Sequence, residues 1–99
     1  METATKRKIE LRERFQDVGN FLKIKREKAH FSQGLLAQTL GYSSPQYVSN
    51  WERGLCSPPF EMLPKICHVL KISKSEIINV ILDQTERELN RNFARYKRR

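Results

Sequence analysis

Residues 32–54, SQGLLAQTLGYSSPQYVSNWERG, decide the fold. Ser32 is a good N-cap because a serine hydroxyl accepts a hydrogen bond from an unpaired amide in the first helical turn. The helix that follows is short, and we expect Gly41 to end it because glycine adopts the left-handed conformation at little cost. Ser44 and Pro45 then predict a second helix, over about 45–53, since proline is favoured at the first helical position. The stretch therefore predicts two short helices joined by a tight turn.

Apolar residues at helical spacing predict a longer helix before this pair, around residues 7–29. Its apolar face is formed at steps of three, four and seven residues by Leu11, Phe15, Val18, Leu22 and Ala29. Gly19 lies inside this helix, where glycine is less favourable than alanine by about 1 kcal/mol. We therefore expect Gly19 to allow the close approach of a neighbouring helix.

Two more helices are predicted after the pair. Pro58 and Pro59 open a fourth helix near 59–70, whose inward-facing residues are Phe60, Leu63, Ile66, Cys67 and Leu70. Ser73 caps a fifth helix, and its apolar residues are Ile77, Ile78, Ile81, Leu82, Leu89, Phe93 and Tyr96. No stop signal follows, so this helix is expected to continue well past Leu82. Since no period-2 alternation predicts a strand, the fold class is all-α.

The composition limits the kind of protein. The 99 residues allow one small domain, and the net charge of +8 makes nucleic acid the first candidate partner. On charge alone, the alternative that lysine and arginine only maintain solubility stays open. The two cysteines, Cys56 and Cys67, are too few for a disulfide scaffold and lack metal-ligand spacing, so no metal or cofactor is expected. The chain shows neither a membrane-length apolar run nor a signal peptide, which predicts a cytoplasmic protein with no membrane partner.

The segment from Val18 to Leu82 resembles the phage-repressor and Cro-like family of helix-turn-helix regulators, also called XRE-type. The matching residues are Val18-Gly19, Leu22-Lys23, Arg26, Ser32-Gln33, Leu36-Ala37, Leu40-Gly41, Val48-Ser49, Trp51-Glu52, Gly54, Pro58 and Leu70-Lys71-Ile72-Ser73. The resemblance implies a five-helix repressor-like DNA-binding domain over residues 18–82. Helical extensions at 1–17 and 83–99 are expected to lengthen the first and last helices, and the second extension ends in a basic tail. Between Gly41 and Trp51 the chain holds one residue more than the family pattern. The first positions of the second short helix can therefore be matched to those of the family in two ways, which differ by one residue.

The resemblance implies that the helix over about 45–53 is a recognition helix, with its N-terminal residues against base edges in the major groove of double-stranded DNA. Gln46 and Asn50 are four residues apart and share a face, and a side-chain amide can form two hydrogen bonds to adenine. Tyr47 is assigned to a thymine methyl group or to a phosphate. The candidate base contacts are Ser44, Gln46, Tyr47 and Asn50, against the alternative that they are ordinary solvated residues.

A second set of residues is assigned to the DNA backbone. Gln33 lies in the first turn of its helix, where unpaired amides and the helix dipole attract phosphate. Arg26 and Glu52 match a family ion pair that links the first helix to the recognition helix, and Arg26 could also reach a phosphate. Trp51 shares a face with Val48, so we expect it in the core. The candidate phosphate contacts are Gln33, Ser49, Arg53, Ser57 and Arg26.

These patterns predict a sequence-specific, repressor-like transcription regulator that acts as a homodimer on a palindromic operator in the bacterial nucleoid. The terminal extensions are expected to pair, either between the two ends of one chain or across a dimer, because Leu82, Leu89 and Tyr96 have heptad-like spacing. One alternative is an antitoxin that binds both DNA and a toxin partner, and another is a protein adaptor that no longer binds DNA. An enzyme is not expected, since no nucleophile–base pair or phosphate-binding glycine loop is recognisable.

Overall fold

The computed structural model describes residues 17–97, and over that range the chain forms five α-helices and one short 3₁₀ helix. The helices are α1 at 17–28, α2 at Gln33–Leu40, α3 at Gln46–Glu52, α4 at Leu63–Leu70 and α5 at Lys74–Lys97. The 3₁₀ helix, Phe60–Met62, directly precedes α4. No strand occurs between residues 17 and 97, and the predicted all-α class is confirmed. The extension predicted for residues 1–17 lies outside the described residues, apart from Asp17.

All five helices contribute to one hydrophobic core. Each helix is apolar on one face, and the five faces converge so that these side chains leave water together. Val48 of α3 and Ile66 of α4 are the largest fully buried side chains of the described chain. The buried core residues are Val18, Leu22, Leu36, Ala37, Leu40, Val48, Trp51, Ile66, Leu70, Ile72 and Ile77. The predicted close approach at Gly19 is also confirmed, because the C-terminal end of α3 lies directly against it.

The turn between α2 and α3 has the predicted boundaries. Ser32 Oγ accepts a hydrogen bond from the Leu35 amide at 3.0 Å, which caps α2. Gly41 has a φ of 93°, and its amide donates to the carbonyls of Ala37 and Gln38. Because this left-handed residue satisfies carbonyls at the end of α2, the chain can turn sharply into α3. The cap at Ser32 and the stop at Gly41 are therefore confirmed.

The entry to α3 is one residue later than predicted. Ser44 Oγ accepts a hydrogen bond from the Gln46 amide at 3.1 Å, and Pro45 precedes the helix with a φ of −65°. The helix ends at Glu52, so the predicted 45–53 becomes 46–52. Within these bounds α3 is an α-helix of seven residues.

The predicted fourth helix is divided, and the prediction that Phe60 faces the core is wrong. Pro64 has no amide hydrogen, so it cannot donate to the Phe60 carbonyl four residues earlier. The Leu63 amide donates to that carbonyl instead, which produces the tighter 3₁₀ turn before α4. Phe60 is 73% exposed at this turn, whereas Ile66 and Leu70 are buried.

α5 begins with a reciprocal cap between Ser73 and Glu76. Ser73 Oγ accepts from the Glu76 amide at 3.1 Å, and Glu76 Oε1 accepts from the Ser73 amide at 3.1 Å. Lys25 of α1 donates to Glu76 Oε2, also at 3.1 Å. The Ser73 amide and the Lys25 ammonium hold the pKa of the Glu76 carboxyl below its ordinary value.

α5 continues from this cap to Lys97, which confirms the predicted extension of the last helix. Polar residues of α5 form hydrogen bonds with α1. The Val18 amide donates to Gln84 Oε1 at 3.1 Å, and Arg87 pairs with Asp17. Over residues 17–97, no helix has the combination of length and apolar character that crossing a membrane requires.

Candidate nucleic-acid interface

α3 has a buried face and a face that is open to solvent. The buried residues are Val48, Trp51 and Glu52. Of the outer residues, Gln46 and Tyr47 are exposed and Asn50 is half-buried. Because the inner side chains are held in the core, they fix the direction in which the outer side chains point. The outer face therefore belongs to a helix that is anchored in the core.

Three polar side chains on this outer face are linked through Asn50. Gln46 Nε2 donates to Asn50 Oδ1 at 3.2 Å, and Arg53 Nη2 donates to the same oxygen at 2.9 Å. An asparagine amide also carries two N–H donors, which these contacts do not use. The four-residue spacing predicted that Gln46 and Asn50 share a face, but the contact between Asn50 and Arg53 was not predicted. The three-residue spacing between Asn50 and Arg53 was the signal that could have indicated it.

Tyr47 is held by aromatic contacts that span the turn. Its ring stacks on that of Tyr42, with centroids 4.5 Å apart, and Tyr42 meets Trp51 edge-on at 5.5 Å. Burial raises the pKa of the Tyr42 hydroxyl. Tyr42 thus connects the exposed Tyr47 ring to the core. This contact could not be read from helical spacing, because Tyr42 lies before α3 begins.

The structure brings Arg26 and Glu52 together in a two-bond ion pair. Arg26 Nε donates to Glu52 Oε2 at 2.6 Å, and Nη2 donates to Oε1 at 3.1 Å. Nη1 donates to the Phe31 carbonyl at 2.7 Å, so all three guanidinium nitrogens have acceptors within the chain. The two residues are 8% and 6% exposed, and the hydrogen bond to Glu52 raises the pKa of Arg26. Arg26 therefore braces α1 against α3, and little of it is available to an external phosphate.

Gln33 joins the same network from the first turn of α2. Its Nε2 donates to Glu52 Oε1 at 2.9 Å, a contact that the sequence did not reveal. A glutamine amide nitrogen carries two hydrogens, so one donor remains for an external acceptor. Glu52 thereby connects α1, α2 and α3 at a single carboxylate. The side chain of Gln33 is half-buried and has a defined direction.

The remaining predicted site residues occupy different surroundings. Ser44 is half-buried and its hydroxyl oxygen accepts from the Gln46 amide, while Ser49 is half-buried within α3. Ser57 is exposed in the loop before α4, where it lines a cleft with Gln84 and Glu88 of α5. The structure therefore brings Gln33 together with the residues of α3, but it places Ser57 beside α5.

Residues 22–77 match the helix-turn-helix family, and the chain belongs to that family in its phage-repressor, or XRE-type, form. The family resemblance inferred from the sequence is confirmed. Two uncharacterized HTH-type transcriptional regulators of Mycobacterium tuberculosis, from strains CDC 1551 and H37Rv, are each 39% identical over 71 residues. The match covers 69% of this chain and 49% of each relative, so the chain spans about half the length of those curated relatives.

A solved structure shares the fold over most of the chain. The crystal structure of the clp gene regulator ClgR from Corynebacterium glutamicum superposes with a TM-score of 0.59 at 25% sequence identity. The superposition covers 84% of this chain and 88% of ClgR.

Proposed function

We propose that this protein is a sequence-specific regulator of transcription that binds double-stranded DNA and inserts α3 into the major groove. One observation carries the proposal. Gln46, Asn50 and Arg53 form a connected group of donors on the outer face of a helix whose inner face is held in the core. Preorganised amide and guanidinium groups of this kind match the hydrogen-bonding edges of bases in the major groove. Family membership adds support, since the curated relatives are named transcriptional regulators.

The proposed base contacts are Gln46 and Asn50, with Tyr47 and Ser44 at the entry to α3. The Asn50 oxygen is already an acceptor for two donors. Its amide hydrogens therefore face the DNA and select an acceptor such as a purine N7 or guanine O6. Gln46 keeps its own oxygen available to accept from a base amino group. Toward DNA, Asn50 is therefore the donor and Gln46 the acceptor.

The proposed backbone contacts surround this group. Gln33 has one amide hydrogen beyond its bond to Glu52, and it lies at the N-terminus of α2, where the helix dipole favours an anion. Arg53 and Ser49 are the phosphate candidates on α3, and Ser57 is a more distant one. The role proposed for Arg26 is to position α3, because its guanidinium nitrogens already have acceptors.

A repressor that recognises a palindromic operator is the form of regulator we propose. Two copies related by a two-fold axis would place two recognition helices about 34 Å apart, which is one turn of DNA. The net charge of +8 favours association with phosphates on either half-site. The antitoxin alternative predicts instead that the protein copurifies with an unrelated small toxin.

Binding selection from random double-stranded oligonucleotides tests this function. The wild-type chain should enrich a palindromic sequence, and its affinity should fall with salt by a slope of about −0.9 per neutralised phosphate in log–log form. Asn50→Ala should lose the enrichment, whereas Asn90→Ala, an asparagine on the surface of α5, should retain it. No enrichment by the wild type, or a slope near zero, would contradict the proposal.

A further inference from the structure

α5 carries an apolar stripe that the rest of the described chain leaves exposed. Leu82, Leu89, Phe93 and Tyr96 are between 53% and 80% exposed, and Ile78 is 40% exposed. At 3.6 residues per turn, these five side chains fall within a sector of about 60° and extend for about 27 Å along the helix. Exposed apolar side chains aligned in this way on a small domain mark an interaction surface.

The stripe lies on the side of α5 that faces away from α1. The side chains of α5 that meet α1 are centred near Val80, Gln84 and Arg87. That direction is about 180° around the helix from the centre of the stripe. The described part of α1 therefore leaves the stripe uncovered.

Charge is unevenly distributed along α5, and this indicates the orientation of a partner helix. The middle of the helix carries Asp83, Glu86 and Glu88, with Arg87 already paired to Asp17 of α1. From residue 90 to the end of the chain the charged residues are all basic, beginning with Arg91. Two α5 helices in parallel would place basic segment against basic segment. An antiparallel pair places the basic segment of each helix beside the acidic segment of the other.

We propose that the apolar stripe of α5 is covered by the same stripe of a second copy of this chain, with the two helices antiparallel. A two-fold axis near Leu89 makes the contact self-complementary, so that residues near Leu82 lie beside residues near the partner's Tyr96. Phe93 and Leu89 lose most of their exposed apolar area at the centre of the contact. The pairing specifies the homodimer proposed above, but it forms without DNA.

Cross-linking of the full chain tests the orientation. Two variants are made after Cys56→Ser and Cys67→Ala remove the native thiols: one carries Leu82→Cys and the other Tyr96→Cys, and a tag on one gives the two chains different masses. They are mixed without DNA and treated with a short bismaleimide. Antiparallel pairing gives mainly the mixed 82–96 product. Parallel pairing gives mainly the two like-with-like products and would overturn the orientation.

Light scattering tests the interface itself. The wild type should have twice the chain mass of 11.7 kDa at tens of micromolar, and Phe93→Glu should halve the measured mass. Ala94→Glu is the matched control, since it adds the same charge at the adjacent exposed position, about 100° away around the helix. A monomeric wild type overturns the proposal, and so does a Phe93→Glu variant that remains a dimer. Because neither experiment contains DNA, a failure to bind DNA would leave this result standing, and the reverse also holds.

Discussion

The Cα of Gly19 in α1 lies against the carbonyl oxygen of Trp51 in α3, so closely that a Cβ at Gly19 would be 2.5 Å from that oxygen. The atoms in the way are backbone atoms of α3, which cannot move aside as a flexible side chain can. The contact therefore sets the separation between α1 and the proposed recognition helix. It also explains why a residue that is unfavourable in a helix interior occupies this position.

Gly19→Ala is expected to destabilise the fold, since the added methyl group must displace α3. The expected loss of unfolding free energy is about 1–3 kcal/mol, which is typical of an overpacked core. Gly34→Ala is the control in α2, where the nearest atom to an added Cβ is Ser32 Oγ at 4.0 Å. There the better helix propensity of alanine should raise stability by up to about 1 kcal/mol. Urea unfolding of both variants checks this, and equal effects would contradict the steric role of Gly19.

Glu52→Ala is expected to lower stability by about 3 kcal/mol. The change leaves the Arg26 guanidinium buried without its carboxylate and also removes the acceptor of Gln33. Glu61→Ala, at an exposed glutamate, should change stability by less than about 0.5 kcal/mol. Chemical unfolding followed by circular dichroism measures both. If Glu52→Ala behaves like Glu61→Ala, the ion pair does not brace α1 against α3.

Gln46→Ala and Asn50→Ala should each lose about 1–3 kcal/mol of binding free energy on the operator and little on random DNA, because base contacts carry the sequence information. Gln33→Ala should weaken binding to both DNAs alike, since a phosphate is the same in every sequence. Fluorescence anisotropy with operator and random duplexes measures the ratio of specific to random binding for each variant.

Thermal unfolding is needed as a control for this series, since Gln33 also donates to Glu52. If neither Gln46→Ala nor Asn50→Ala alters the ratio of specific to random binding, the outer face of α3 is not the base-reading surface.

Glu76 should make stability depend on pH on the acid side. Its folded pKa is held below the ordinary 4.5 by the Ser73 amide first and by Lys25 second. The stabilisation is therefore complete above the ordinary glutamate pKa, and it is lost as the pH falls through the lower folded value. Glu76→Gln should flatten the stability profile in that window, whereas Glu86→Gln, further along α5, leaves the contribution of Glu76 in place. A folded-state titration of Glu76 by NMR with a midpoint at or above 4.5 would contradict this.

The helical class and most helix boundaries could be predicted because their signals are local. Ser32, Gly41 and Ser73 act through hydrogen bonds to residues within four positions of themselves, so the sequence contains both partners. The same is true of the pair Gln46 and Asn50, whose shared face follows from a spacing of four residues. The prediction for Phe60 is wrong because Pro64 has no amide hydrogen to donate to the Phe60 carbonyl. The Leu63 amide donates to that carbonyl instead, and a 3₁₀ turn replaces the start of the predicted helix.

The site itself depends on contacts between residues far apart in the chain, and only the tertiary structure decided these. Glu52 accepts from both Arg26 and Gln33, and the family resemblance indicated the first contact but not the second. Tyr42 reaches Tyr47 and Trp51 only because the turn folds back over α3. The sequence by itself determined which helices form, since helix formation is governed by neighbours along the chain. The direction of each outward side chain was decided by packing, since it depends on how buried surfaces from several helices fit together.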